Sequence, residues 1–206
     1  EERIQTEPES YSKIKGEPYY ISSKVDGTSI TTIWNESELI CATRNNTLAR
    51  YNEIEKMLDA KGVLSTLETL GENVSFQSEL YGTGIQKNPL GIQDKRLATF
   101  TISKDNKILG LENMLDLVGT LGLEIPEIVE IGSNDDEQIK RILEKIEQIN
   151  NTREKINPVK STDGPLQIVV QKVVTENFNY SIAEIIERMN GTTYSTSGKL
   201  QEGGVI

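Results

Sequence analysis

Tyr19-Tyr20-Ile21-Ser22-Ser23-Lys24-Val25-Asp26-Gly27-Thr28-Ser29-Ile30-Thr31-Thr32-Ile33-Trp34 decides how this chain of 206 residues is read. The runs 19–23 and 28–34 are rich in β-branched and aromatic residues and have strand composition, with a polar break between them. The break places one lysine, Lys24, at a strand end and follows it with a carboxylate, Asp26, and a backbone-permissive glycine, Gly27. Alone, Lys-x-Asp-Gly is a weak signal: ordinary residue usage produces it in on the order of a few per cent of chains of this length. Asp-Gly is also a good hairpin turn. Its weight comes from segments farther along.

Working outward, a polar, proline-containing lead covers 1–18 and a third strand is predicted at 38–43. A helical stretch follows with Ile54, Met57 and Leu58 on one face; it breaks near Gly62 and resumes through Leu64, Leu67 and Leu70 to a C-cap at Gly71. Strands are predicted at 74–80, 97–103 and 168–174. Helices are predicted near 111–119, over the stretch carrying Ile139, Ile142, Leu143, Ile146 and Ile149, and over Ile182, Ile185, Ile186 and Met189. Strands and helices in mixed order, without regular βαβ alternation, point to an α+β class with antiparallel sheets, and the length suits one domain. No internal repeat or low-complexity tract is present. The chain begins at Glu1 and stops in strand-like Val205-Ile206, as expected for a fragment or the ordered part of a longer protein.

Composition excludes several chemistries. With no histidine there is no Ser-His or Cys-His nucleophile pair and no imidazole metal ligand. The single cysteine, Cys41, forms neither an internal disulfide nor a thiolate cluster, which fits a reducing, cytoplasmic compartment. No run of apolar residues is long enough for a membrane span, and the amino end lacks a signal-type stretch. A net charge of -10 argues against holding nucleic acid by bulk electrostatics. The acidic residues concentrate in 1–17 and 124–147, however, whereas Arg44, Arg50, Lys87, Lys95 and Arg96 lie around the candidate site, leaving room for a local basic surface.

Three further elements accompany the lysine. Ser78-Glu79-Leu80-Tyr81-Gly82-Thr83-Gly84-Ile85-Gln86 ends an apolar strand on a carboxylate before a glycine-rich turn. Arg44-Asn45-Asn46 follows the strand Leu39-Ile40-Cys41-Ala42-Thr43, and Gln201-Glu202-Gly203-Gly204-Val205 carries a carboxylate into an apolar strand. Each, taken singly, also suits a solvated turn or strand terminus.

Together and in this order, the four elements resemble the covalent nucleotidyltransferase superfamily of polynucleotide ligases and mRNA capping enzymes. Lys24 to Ser29 with Glu79 to Gln86 looks most like the ATP-dependent RNA ligases of the nick-sealing type. The stretch from Ala183 to Val205 is similar to the segment leading into that family's fourth motif. The resemblance implies a nucleotidyltransferase (ATP-grasp-like ligase) domain of two antiparallel sheets flanked by helices. It implies ATP and Mg2+ as cofactors, and RNA or DNA ends at a nick as partners of a monomeric protein that works with a flanking domain. By the same resemblance, Lys24 is the nucleophile and Ser23 borders the nucleotide. Arg44 contacts ribose or phosphates, Glu79 accepts from the ribose hydroxyls, and Phe100 stacks on adenine, although a core phenylalanine fits position 100 as well. Glu202, with Asp26 and Glu79, holds the metal, and Lys87, Lys95 and Arg96 form a basic rim for nucleic acid. A lysine amine is a nucleophile only when neutral, a state that burial or neighbouring cations favour, and phosphoryl transfer rests more on positioning and charge neutralisation than on a histidine.

The chain departs from the family pattern at several points. Ser23 stands where many of these ligases carry glutamate, and Ser78 where the third motif often has glycine. The interval from Glu79 to Glu202 is long, with 133–175 a candidate insertion and Asp163-Gly164 a weaker alternative for the fourth motif. The family's final basic motif is absent. A capping-type guanylyltransferase, a DNA ligase and a non-catalytic binding relative are the competing expectations.

Overall fold

A computed structural model of the chain describes residues 8–35, 37–88, 90–156, 166–190, 192–195 and 203–206. In chain order the elements are α1 (Pro8–Ile14), β1 (Tyr19–Ser23), β2 (Thr28–Trp34), β3 (Leu39–Thr43), α2 (Glu53–Ala60), α3 (Val63–Leu70), β4 (Val74–Gly82), β5 (Lys95–Lys104) and β6 (Lys107–Ile108). They continue with α4 (Leu111–Leu121), β7 (Ile128–Gly132), α5 (Asp136–Ile156), β8 (Val173–Val174), α6 (Ile182–Asn190) and β9 (Gly204–Val205). The strands form two sheets, ordered β3-β2-β4-β5-β6 and β8-β7-β1-β9. All pairs are antiparallel except β7 with β8. No described helix is long and apolar enough to cross a membrane.

In the five-stranded sheet, alternation decides which face is covered. Ile30 and Trp34 of β2, Val74, Phe76 and Leu80 of β4, and Leu97 and Ile102 of β5 are buried, whereas Ser29, Ile33 and Gln77 point to the other, exposed side. The buried face packs on Ile54 and Leu58 of α2, Val63 and Leu67 of α3, and Leu111, Leu115 and Val118 of α4. Asn52 caps α2 by accepting the Glu55 N–H at 3.0 Å. The break at Gly62 and the stop at Gly71 (φ 62°) fall where the sequence placed them, the latter in the left-handed region that ends helices. Helix α5 adds Ile142, Ile146 and Ile149 to this same core.

A second, smaller core lies on the four-stranded sheet, where Ile21, Val129, Phe178, Ile185 and Met189 pack together. Tyr19 meets Phe178 edge-on at 5.1 Å between ring centres. Beside it, the Glu130 carboxylate is fully buried. It accepts from the hydroxyls of Tyr19 at 2.5 Å and Tyr180 at 2.7 Å, and it pairs with Arg188 and, at 3.3 Å, with Lys172. Burial, and after it this carboxylate, raise the Tyr19 hydroxyl well above the usual tyrosine range.

Three features escape the pattern. Residues 8–14 of the polar lead form α1. Strand β7 has every residue buried, so it shows no alternation to reveal it. The strand expected at 168–174 is confined to Val173–Val174, with a single bridge from Val170 to Ile128.

Phe76 is 1% exposed on the central strand of the larger sheet. Phe76→Ala is expected to cost about 3–5 kcal/mol through lost burial and an unfilled cavity. Urea unfolding monitored by circular dichroism checks this.

Candidate active site

The loop Lys24–Gly27 is where the chain leaves the four-stranded sheet at the end of β1 and enters the five-stranded sheet at β2. Ser23 pairs with Gly204 across β1 and β9, and its N–H donates to the Glu127 carbonyl at 2.8 Å. The Lys24 N–H donates to the Gly203 carbonyl at 3.0 Å, while the Lys24 carbonyl accepts from the Tyr194 hydroxyl at 3.0 Å. The backbone of the candidate nucleophile is thus held from both sides while its residue stays exposed.

Gly27 presses this loop against β4. A Cβ placed there would lie 2.1 Å from the Leu80 carbonyl oxygen and 2.9 Å from Cγ of Glu79, distances no side chain tolerates. The absence of a side chain at position 27 therefore lets the lysine loop sit directly on the strand that carries Glu79. Register agrees, since Ser29 of β2 pairs with Glu79 of β4. From the turn after β4, the Lys87 N–H approaches the Asp26 carboxylate at 3.4 Å. Arg44, exposed, follows the last β3 residue, Thr43, which pairs with Ile30. It therefore lies at the same sheet end as Ser29 and Glu79. Lys24, Asp26, Arg44, Glu79 and Lys87 are brought to one end of the larger sheet.

Other expected members behave differently. Phe100 is half-buried in β5 and lines a cavity with Tyr20 and Ser22 of β1 and with Pro126. The cavity measures about 10 Å³, room for one water and too little for a purine. Ser23 is 2% exposed, and its Oγ has no hydrogen-bond partner among the described residues. Ser78, in the third motif, bonds Thr99 hydroxyl to hydroxyl at 2.9 Å. Glu202 and Asp163-Gly164 lie outside the described residues; Gly203, next to Glu202, is the residue bonded to Lys24.

The basic rim requires correction. Arg96 is 3% exposed, its guanidinium paired with Asp94 at 3.0 Å and with buried Glu124 at 3.2 Å. Lys61 also reaches Glu124, at 3.0 Å, and the Tyr81 hydroxyl lies 3.4 Å from it. Burial works to lower the pKa of Arg96, but the two carboxylates outweigh it and hold the group above its ordinary value. Its charge is compensated in the interior, so it does not face a phosphate. Lys95 is half-exposed and grips both oxygens of Glu53, at 2.7 and 2.9 Å. Arg44, Arg50 and Lys87 are exposed.

Among the described residues no group of three or more His, Cys, Asp or Glu side chains is arranged to hold a metal ion. Asp26 and Glu79 nevertheless supply two hard oxygen donors on segments that Gly27 holds together. This small donor set fits Mg2+, which uses one or two carboxylates and takes its remaining ligands from water and substrate phosphates.

No family model and no curated protein matches the chain. Solved structures do. A lysine-to-alanine variant of Naegleria gruberi RNA ligase with ATP and Mn is 22% identical with a TM-score of 0.56, over 62% of this chain and 40% of that one. A glutamate-to-alanine variant with AMP and Mn gives 22% identity and a TM-score of 0.57, over 63% and 41%. The same ligase with PPi gives 22% and 0.56, over 62% and 41%. The chain thus spans about 40% of the length of those ligases, and over the matched part it shares their fold.

Gly27→Ala is expected to destabilise the protein by about 1–3 kcal/mol through forced displacement of the loop from β4. A Cβ at Gly110 would meet nothing within 4 Å, so Gly110→Ala should cost much less. Parallel urea melts of the two variants check the difference.

Proposed function

We propose that this chain is the adenylyltransferase domain of an ATP-dependent RNA ligase. The observation that carries the proposal is the seating of the Lys24-Val25-Asp26-Gly27 loop on Glu79 and Leu80 through Gly27. It brings an exposed lysine, two carboxylates and Arg44 to one end of a sheet, in a fold shared with RNA ligases solved with ATP or AMP. In this proposal the neutral Lys24 amine attacks the α-phosphorus of ATP. A P–N bond forms, the bond to the bridging oxygen of the β-phosphate breaks, pyrophosphate leaves, and the amine proton passes to solvent. The lysyl-AMP then gives its adenylyl group to a 5′-phosphate end, restoring the amine. A 3′-hydroxyl next attacks the activated phosphate, releasing AMP and closing the break.

The chain's own groups act mainly by position and charge. Glu79 accepts hydrogen bonds from the ribose hydroxyls, and Arg44 faces the phosphates. Asp26 and Glu79, with Glu202 as the third candidate, would hold a divalent cation, which supplies neutralisation of phosphate charge when bound. Stacking of adenine on Phe100 requires the cavity beside it to widen.

Intact-mass measurement after incubation with ATP and Mg2+ tests the proposal. One AMP adduct is expected, mapped to Lys24, lost in Lys24→Ala and abolished by a chelator. Labelling by GTP in place of ATP would favour a capping-type enzyme, and an adduct on Lys13 or Lys87 would sink the assignment.

With Arg96 buried and Lys95 held by Glu53, little of the expected basic rim faces outward unengaged on a chain of net charge -10. Residues 1–206 are therefore expected to bind nicked RNA duplex weakly, with a log–log salt slope of about -2 to -3, the value for two or three phosphate contacts. Titration by fluorescence anisotropy across salt concentrations checks it; a steep slope would require a larger basic surface.

A further inference from the structure

The segment 192–195 lies within the stretch that resembles the approach to the fourth motif, where no role was assigned to it, yet it supplies a side-chain bond to the backbone of Lys24. Tyr194 is 1% exposed, and its hydroxyl donates to the Lys24 carbonyl at 3.0 Å. The segment is itself pinned on both sides of the tyrosine. The Ser195 N–H donates to both oxygens of Glu127, at 3.0 and 3.2 Å, and Gln171 Nε2 donates to the Thr193 carbonyl at 3.0 Å. Glu127 also holds the other flank of the lysine, because its carbonyl accepts the Ser23 N–H at 2.8 Å. The Lys24 N–H is meanwhile bonded to Gly203. Ser23 and Lys24 are therefore fixed by one connected set of groups drawn from 127, 171 and 193–195, together with β9.

We infer that Tyr194 is a positioning residue, whose hydroxyl fixes the backbone of Lys24 so that the amine is presented to its target in one orientation. A lysine side chain has four rotatable bonds, and its amine is aimed only when the Cα–Cβ direction from which it starts is constant. Beyond β1, the Lys24 N–H and carbonyl are both bonded ahead of the turn at Asp26-Gly27, and these bonds constrain that direction. Packing alone does not call for the hydroxyl, because a phenylalanine would fill the same space. The inference rests on the proposed lysyl-AMP chemistry for its kinetic consequence and on the hydrogen bonds alone for its structural one.

Tyr194→Phe, which deletes only the hydroxyl, separates the two. The full chain and the variant are compared in single-turnover lysyl-AMP formation over a range of ATP concentrations, in urea unfolding, and in amide hydrogen exchange at Lys24. The expected result is a rate at saturating ATP lower by about tenfold, the scale of a small misplacement of a reacting group. Half-saturating ATP and the urea midpoint should be unchanged, and the Lys24 amide should exchange faster. A variant that reacts at the wild-type rate overturns the inference, as does a urea midpoint that falls in step with the rate, which would assign the hydroxyl to the fold. If the unsubstituted chain forms no lysyl-AMP, the ligase proposal fails by itself. The positioning role is then judged by exchange, where faster exchange at Lys24 in the variant upholds it and unchanged protection overturns it.

Discussion

One close approach governs the arrangement: the backbone of Gly27 against the Leu80 carbonyl, leaving no space for a Cβ. The chain crosses there from one sheet to the other, and the crossing is short because nothing intervenes between the loop and β4. Seven residue pairs between β2 and β4, from Thr28–Leu80 to Trp34–Val74, extend the contact into a ladder. Because the crossing is pinned at position 27, the loop that begins at Lys24 lies against the strand that carries Glu79. The small core on the four-stranded sheet, with Glu130 and its four partners, holds the other end of β1 against β7 and α6.

Much of this was legible in the sequence, for identifiable physical reasons. The strands at 19–23, 28–34 and 39–43 and the paired helices ending at Gly71 carry alternation, helical periodicity and a left-handed cap, and they stand where those signals put them. Lys24, Asp26 and Glu79 drew notice through residue type and spacing, and Gly27 seats the loop that carries the first two on the strand that carries the third. Strand β7 stayed hidden because it is buried on both faces. Arg96 misled because a basic residue beside Lys95 reads as surface, while the acid that neutralises it, Glu124, is 28 positions away. Tyr194 lies in a stretch that resembles the approach to the fourth motif, but its contact was not legible: its partner is a backbone carbonyl 170 positions distant, and backbone groups have no sequence signature.

The two buried carboxylates show how an acidic chain manages its interior. Glu124 and Glu130 each collect several partners of opposite charge or with hydroxyl donors, which compensates their charge where water is excluded. Such clusters add little net stability over apolar packing of the same volume, because desolvation cancels much of the attraction. Removing one member is costly, however, since the remaining charge is left uncompensated. Each therefore defines which strands and helices meet: Glu124 joins β5 to the end of α2, and Glu130 joins β7 to α6.

The bonds from Lys24 to Tyr194 and Gly203 also bear on the order in which the protein is made. Contacts between such distant residues are entropically dear and form late in folding. During synthesis both groups that fix its backbone emerge 170 or more residues after the lysine itself. A nascent or prematurely terminated polypeptide lacking residues 194 and 203 therefore carries its Lys24 peptide groups without those two anchors. Assembly of the site is in this way tied to completion of translation through residue 203.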